Sequence, residues 1–246
     1  LPLQLLLADY PGWMDQPVAV VDADKPQGLI LWANRAARAG GIVAGMRYAA
    51  GLALCRELHG GVVSEGTIAA AVAMIAQELW RFSPSIEPSD EEAGVFWLDA
   101  SGMGPLYPSL GDWAVAIREH LATLGFRAVV AVGFTLFGTY AAARSQRDNI
   151  LFSTAVEEQR YVHQVPLTCL GFGPELLATL AKLGIRTVGG FIALPAAGVR
   201  KRFGIEAETW HRLARNGDGR SIQPCPLREP VACEESLEYP EENVER

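Results

Sequence analysis

The most informative segment for the fold is Leu167-Thr-Cys-Leu-Gly-Phe-Gly-Pro-Glu-Leu-Leu-Ala-Thr-Leu180, which is followed by Leu183-Gly-Ile-Arg-Thr-Val-Gly-Gly-Phe191. Gly171 and Gly173 flank one apolar residue, and Pro174 suits the first position of a helix. Glycines let the backbone approach a ligand closely, and free N–H groups at a helix start can face a phosphate oxygen. The pattern predicts a helix–hairpin–helix, which would hold DNA by its backbone without reading the bases. A plain helical turn is the alternative.

The charge distribution supports this interpretation, although the total charge does not. The 246 residues carry a formal net charge of −7, which normally argues against nucleic-acid binding. Residues 182–220, however, hold eight Lys and Arg against three Asp and Glu, whereas residues 229–246 hold seven Glu against one Arg. We therefore predict DNA-backbone contacts from the hairpin, at Gly171, Phe172 and Gly173, and from the basic segment, at Arg200, Lys201 and Arg202. The alternative for the basic residues is an ordinary solvated surface.

The order of predicted elements indicates an α+β or α/β body followed by a helical part. Alternation and helical periodicity predict strands at residues 16–22, 29–32, 95–99 and 128–134, and helices at 35–39, 45–58, 65–82, 112–124 and 139–146. From residue 165 onward, short helices separated by Gly and Pro turns are expected. Four cysteines without a CxxC pair suit a reducing cytoplasm and argue against a zinc ribbon or a disulfide scaffold. The longest apolar stretch, residues 128–143, is too short for a comfortable membrane span.

Seven blocks occur in the order found in one protein family. They are Pro17-Val-Ala-Val, Asn34-Arg-Ala-Ala-Arg, Ile42-Val-Ala-Gly-Met, Phe82-Ser-Pro-Ser-Ile-Glu-Pro, Trp97-Leu-Asp-Ala-Ser-Gly, Val132-Gly-Phe and the hairpin. On these blocks the chain resembles the Y-family translesion DNA polymerases over nearly its full length. The resemblance implies the α+β core of that family, with fingers at 1–65, palm at 66–160 and a helix–hairpin–helix thumb at 161–228. An acidic linker at 229–246 would lead toward a little finger that this sequence lacks.

The metal-binding motif of the family is altered. Polymerisation there needs carboxylates that hold two divalent metals, and the palm motif reads Ser-x-Asp-Glu-Ala-x-x-Asp. With Asp99 as its closing residue, the acidic pair falls on Gly94 and Val95. Asp90 and Glu91 lie four residues too early, a displacement of roughly 13 Å along a strand. We interpret them, with Glu92, as a solvated turn, and Asp99 as a structural residue at a strand end.

The expected catalytic positions Gly94 and Val95 therefore offer no catalytic residue, and we predict no metal, no cofactor and no polymerase activity. The family's other carboxylate motif belongs to a first palm strand, and no such strand precedes Pro17. Since the sequence opens on Leu1, we expect it to be a fragment that lacks this strand.

The nucleotide pocket is predicted to be vestigial. The fingers motif of the family, Tyr-x-Ala-Arg, reads Arg35-Ala-Ala-Arg38 here, so that Arg38 is kept and Arg35 replaces the tyrosine. After Gly133, the family usually carries Asn-Lys and a further Lys four residues on. Those positions are Phe137, Gly138 and Ala142, which suit a packed core better than contact with a triphosphate.

Phe96-Trp-Leu-Asp-Ala-Ser-Gly, and the segment from Leu183 to Pro195, resemble the ImuB-type pseudopolymerases in particular. That resemblance implies a cytoplasmic, nucleoid-associated bacterial adaptor in SOS-induced mutagenic translesion synthesis and DNA repair. Its partners would be single-stranded or primer-template DNA, an ImuA-type RecA-like protein, an error-prone replicative-type polymerase, and the sliding clamp through a C-terminal region absent here. Two alternatives remain open: an active Y-family polymerase truncated at its catalytic strand, and a protein-interaction module with a vestigial hairpin.

Overall fold

The computed structural model describes residues 1–216 and 221–225, and its first sheet is built around a fully buried strand. Strand β1 (Val18–Val21) has the apolar sequence VAVV, and all four residues are buried. It lies in the middle of a three-stranded sheet, antiparallel to β2 (Ile30–Ala33) and parallel to β3 (His59–Gly61). A strand covered on both faces is expected to be continuously apolar rather than alternating.

Helices cover both faces of this sheet. Helix α1 (Pro2–Asp9) places Leu6 against Val18 and Val20 on one face. Helices α2 (Arg35–Ala39) and α3 (Tyr48–Leu54) pack against the other face of the sheet. The prediction of α2 is confirmed, whereas α3 is shorter than the helix predicted over 45–58, and α1 was not predicted.

Asn34 fixes the start of α2 through three hydrogen bonds. Its Oδ1 accepts from the N–H groups of Ala37 and Val18, at 2.9 and 3.1 Å, and its Nδ2 donates to the carbonyl of Gln16 at 2.7 Å. A helix N-cap side chain of this kind satisfies donors that the helix leaves unpaired. Because Asn34 also bonds to Val18 of β1, it sets the position of α2 on the sheet.

The region predicted as the palm contains two small sheets and three helices. Its elements are α4 (Glu65–Leu79), β4 (Ile86–Pro88), β5 (Phe96–Leu98), α5 (Leu110–Thr123), β6 (Ala131–Val132), α6 (Leu136–Ser145) and β7 (Ile150–Leu151). Strands β4 and β5 are antiparallel, whereas β6 and β7 are parallel. Trp113 is buried between the helices and donates its indole N–H to the carbonyl of Phe82 at 2.9 Å. The strand predicted over 128–134 is only two residues long.

The remaining helices form a separate apolar core. They are α7 (Ala155–Gln164), α8 (Pro174–Lys182), α9 (Val188–Ile192) and α10 (Ala196–Asn216), with a 3-10 turn at Leu167–Cys169. Leu180, Val188 and Phe191 are fully buried in this core, which Phe137 and Ala141 of α6 also join. The architecture is therefore mixed α+β, as predicted. The proposed palm–thumb boundary after residue 160 falls inside α7, and the four-part division stays a prediction.

Gly204 divides α10. Its φ of 87° is non-helical, so the segment consists of two helices that meet at this glycine. Within residues 1–216 and 221–225, no helix is long and apolar enough to cross a membrane. The acidic segment 229–246 lies outside the described residues.

Candidate nucleic-acid interface and central cleft

The predicted hairpin, Gly171 to Gly173, leads directly into α8, and its central side chain points into the core. The Phe172 ring is buried and stacks on Trp210, with 4.9 Å between centroids, and it meets Phe191 edge-on at 5.2 Å. A Cβ at Gly171 would lie 3.3 Å from the Trp210 ring, which leaves little room for a larger residue. Because the Phe172 side chain is a core residue, any contact with DNA at this position is left to the main chain.

The backbone N–H of Gly173 already has an acceptor. It donates to Oε1 of Glu206 on α10 over 2.6 Å. Gly173 is the N-cap residue of α8 and has no side chain with which to cap the helix. The Glu206 carboxylate therefore occupies the end of α8 that carries its positive partial charge. Sequence reasoning did not single out Glu206.

The three basic residues predicted to contact DNA lie in α10 just before the break at Gly204. Arg200, Lys201 and Arg202 are all exposed. Arg200 Nη1 lies 3.5 Å from Glu208 Oε2, an exposed pair of the kind that contributes little to stability. Their contact with DNA remains a prediction.

The two expected catalytic positions lie in the turn before β5. Gly94 has a φ of 98°, a conformation that glycine adopts readily. A Cβ at residue 94 would lie 2.6 Å from the Cβ of Leu1, so an aspartate there would displace Leu1. Val95 is half-buried, and its carbonyl accepts from the N–H of Ser89 at 2.9 Å. Neither position supplies a metal ligand from its side chain.

Asp90, Glu91 and Glu92 were predicted to form a solvated turn, and one of the three residues departs from that prediction. Asp90 and Glu91 are exposed, as expected of a solvated turn. The prediction is wrong for Glu92, which accepts a hydrogen bond from the Tyr140 hydroxyl at 2.7 Å and pairs with Arg144 at 3.2 Å. Glu92 remains in the turn through its N–H bond to Ser89 Oγ, and its side chain contacts α6 instead of solvent.

Tyr140 connects this carboxylate to the hairpin. Its ring stacks near Trp210, with centroids 6.0 Å apart. Burial raises the pKa of Tyr140 above its ordinary value, and the negative charge of Glu92 and its hydrogen bond act in the same direction. Arg144 and the backbone N–H of Gly171 oppose that pKa shift. One half-buried phenol therefore contacts elements from the regions predicted as palm and thumb.

Asp99 directly follows β5 and acts as a structural residue. Its Oδ1 accepts from the N–H of Ser101 at 2.9 Å, and its carbonyl accepts from the Ser83 hydroxyl at 2.7 Å. The Ser101 amide, followed by the Ser101 hydroxyl, lowers the pKa of Asp99. This geometry agrees with the role inferred from the sequence.

The predicted nucleotide-pocket arginines stand on α2. Arg35 and Arg38 are both exposed there, three residues apart and hence on neighbouring positions of one helix face. Their role as a vestigial pocket stays a prediction.

The three substituted positions of α6 are packed. Phe137, Gly138 and Ala142 are all buried. Beside them lies Glu158 of α7, which is 3 % exposed and which sequence reasoning missed. Its carboxylate accepts from the N–H of Phe134 and from the Thr135 hydroxyl.

Glu158 lies directly against two glycines, Gly133 and Gly138. A Cβ at Gly138 would lie 2.0 Å from Glu158 Oε1, and one at Gly133 would lie 2.2 Å from Oε2. The carboxylate therefore fills the space that larger residues at 133 and 138 would need. No local sequence signal distinguishes Glu158 from Glu157, which instead contacts the Ser153 N–H at 2.8 Å.

A cavity of about 1,210 Å³ lies between β5 and β6, and we refer to it as the central cleft. Gly94, Asp99, Glu92 and Arg144 all line it, together with Leu1. Among the residues that the structure describes, no group of three or more His, Cys, Asp or Glu side chains could hold a metal ion.

Comparison with known proteins identifies the family. Residues 3–142 match the model of the "impB/mucB/samB family". The chain belongs to this family. The Y-family resemblance noted from the sequence is therefore confirmed.

Relatives within the family differ in name. The chain is 29 % identical over 225 residues to a DNA polymerase IV of Moorella thermoacetica, covering 88 % of this chain and 55 % of that protein. It is 30 % identical over 167 residues to Protein ImuB of Caulobacter vibrioides, covering 68 % of this chain and 36 % of that one. The chain thus spans about half the length, or less, of these curated relatives.

The fold agrees with solved Y-family structures. DinB from Sulfolobus solfataricus superposes with a TM-score of 0.70 at 19 % identity, over 90 % of this chain and 66 % of that one. An insertion ternary complex of Dbh DNA polymerase superposes with a TM-score of 0.66 over the same shares. The predicted Y-family polymerase core is confirmed as the fold.

Proposed function

We propose that this family member is a non-catalytic, DNA-binding adaptor of the ImuB type that acts in SOS-induced mutagenic translesion synthesis and DNA repair. In this role it would hold single-stranded or primer-template DNA and add no nucleotides. The relative named Protein ImuB supports this branch of the family.

The observation that carries the proposal is the chemistry of the turn before β5. Gly94 and Val95 are the positions predicted for the acidic pair, and an aspartate at 94 would displace Leu1. The nearest half-buried acid, Glu92, is held by Arg144 and Tyr140. A carboxylate paired with a guanidinium has its charge balanced by the protein, which favours a structural role over coordination of a metal.

The packing around α6 supports the loss of nucleotide binding. By the resemblance, contacts with a triphosphate there would come from lysine side chains. Gly138 instead adjoins the Glu158 carboxylate, and Phe137 and Ala142 are buried. A buried negative charge at this place would repel a triphosphate.

DNA binding would come from the region predicted as the thumb. The hairpin would contact DNA through a main-chain N–H such as that of Gly173, which now donates to Glu206. Exposed Lys201 and Arg202 lie close along the chain to Glu206. Such contacts fix a nucleic-acid backbone in place without base specificity. Arg200, paired with Glu208, would contribute less.

The partners and location in the cell follow from the ImuB-type proposal. We expect an ImuA-type RecA-like protein, an error-prone replicative-type polymerase, and the sliding clamp bound through a C-terminal region outside this sequence. The protein would be cytoplasmic and nucleoid-associated. Co-purification of the full-length protein with each partner, with and without DNA, tests these expectations one by one.

The second candidate is an active Y-family translesion polymerase truncated at its catalytic strand. Relatives named DNA polymerase IV favour it, as does a carboxylate, Glu92, at the central cleft.

Paired assays on the full-length protein separate the two candidates. DNA binding is measured by fluorescence anisotropy over a range of salt concentrations, and primer extension is measured with Mg²⁺ and with Mn²⁺ on the same primer-template. The adaptor proposal predicts salt-sensitive binding without extension. Extension that is lost in a Glu92→Gln variant would instead support the polymerase.

A further inference from the structure

The contact between Glu206 and the hairpin deepens the proposed function. A 2.6 Å bond joins the Gly173 N–H to a carboxylate oxygen 33 residues further along the chain. Bonds of this length to an ionised acceptor are stronger than bonds between neutral groups. A Cβ at Gly173 would lie 3.0 and 3.1 Å from the two carboxylate oxygens, so both oxygens lie against the glycine.

Packing on either side of Glu206 holds it at this position. The break at Gly204, with its φ of 87°, ends the first half of α10 and starts the second beside the hairpin. One residue after Glu206, Ala207 is fully buried, and Trp210 stacks on Phe172. The Glu206 side chain is itself exposed. A competing anion can therefore reach the Gly173 amide without disturbing the core.

We propose that Glu206 is an internal phosphate mimic that closes the hairpin, and that a DNA phosphate must displace it before it can bind the Gly173 amide. This inference rests on the proposed function of the hairpin as a DNA-backbone site. A carboxylate and a phosphate oxygen seek the same donor at the positive end of α8. Exposed Lys201 and Arg202, in the preceding half of α10, would draw a phosphate toward the same place.

If Glu206 mimics a phosphate, removing the negative charge at residue 206 should strengthen DNA binding. Glu206→Gln leaves a neutral acceptor of the same shape, which competes less well with a phosphate. From the difference between charged and neutral acceptors, affinity for a single-stranded oligonucleotide should rise about five-fold.

Glu175→Gln is the matched control. Glu175 is an exposed acid in the first turn of the same helix. Its removal changes the net charge of the protein equally, and the contact between Gly173 and Glu206 stays in place. We expect under about a two-fold effect on affinity from this change.

Fluorescence anisotropy with the same oligonucleotide compares four proteins: the parent chain, Glu206→Gln, Glu175→Gln, and a Lys201→Glu/Arg202→Glu double variant. A rise in affinity confined to Glu206→Gln supports the mimic. An equal rise with Glu175→Gln, or no change with Glu206→Gln while the double variant loses affinity, overturns the mimic and leaves the DNA-binding proposal standing. Absence of DNA binding in the parent chain and in Glu206→Gln overturns both.

Amide hydrogen exchange gives a readout that is independent of DNA. The Gly173 N–H should exchange more slowly in the parent chain than in Glu206→Gln, because its acceptor is weaker in the variant. Equal exchange in the two proteins would contradict a persistent Glu206 contact in solution.

Discussion

The substitution Gly138→Ala adds one methyl group beside the Glu158 carboxylate, in the region predicted as the palm. The new Cβ would lie 2.0 Å from Glu158 Oε1 and 2.5 Å from Thr135 Oγ1. Both distances are far below van der Waals contact, so the Glu158 carboxylate has to move. The carboxylate then loses its bonds from the Phe134 N–H and the Thr135 hydroxyl.

Two opposing effects determine how Gly138→Ala changes the free energy of unfolding. Each hydrogen bond to a charged group contributes about 1.5–3 kcal/mol, and alanine regains up to about 1 kcal/mol of helix propensity over glycine. The free energy of unfolding should therefore fall by about 3 kcal/mol. Since Glu158 is only 3 % exposed, water can do little to replace the hydrogen bonds that its carboxylate loses.

Urea denaturation of the parent chain and the variants, followed by circular dichroism, measures this change. Gly198→Ala is the matched control, because Gly198 lies in α10 and a Cβ added there would meet nothing within 4 Å among the described residues. That variant should be as stable as the parent or up to about 1 kcal/mol more stable. In a Glu158→Ala background, most of the cost of Gly138→Ala should disappear, giving a coupling energy of about 2 kcal/mol.

Two results would contradict this explanation of the crowding. If Gly138→Ala changes stability no more than Gly198→Ala does, Glu158 does not fill the space beside residue 138 in solution. If Gly138→Ala costs the same with and without Glu158, the cost arises from another contact.

Two further predictions concern DNA binding and pH. The double variant Lys201→Glu/Arg202→Glu should weaken binding to single-stranded DNA and lower the slope of log K against log salt by about 1.4, as expected for two lost phosphate contacts; an unchanged slope in a salt titration would assign those side chains to solvent. Because burial raises the pKa of Tyr140, the folded state holds more protons than the unfolded state above pH ~10, and the free energy of unfolding should fall as the pH rises beyond that value. Tyr140→Phe should flatten part of this fall in denaturation curves measured between about pH 9 and 11, and a parallel fall in both proteins would rule Tyr140 out as its source.

Local chemistry made some elements predictable. The Asn34 cap and the apolar spacing of α4 are both local signals, and both elements occur where they were expected. The hairpin followed by α8 was readable from Gly171, Gly173 and Pro174 for the same reason. The order of motif blocks was sufficient to identify the fold.

Tertiary contacts explain what the sequence did not reveal. Glu92, Glu158 and Glu206 each act through a partner between 23 and 48 residues away along the chain. Acidic residues usually lie in solvent, so nothing local marks these three as paired or buried. The two-residue β6 is likewise shorter than its apolar run, because only residues 131 and 132 pair with β7.

The proposed adaptor is defined by binding DNA without copying it. A single assay can measure both DNA binding and primer extension. The full-length protein is incubated with a labelled primer-template, all four nucleotides, and Mg²⁺ or Mn²⁺, and bound DNA and primer length are measured in the same samples. We expect salt-sensitive binding with primers of unchanged length. Primer extension by the parent protein would contradict the adaptor proposal.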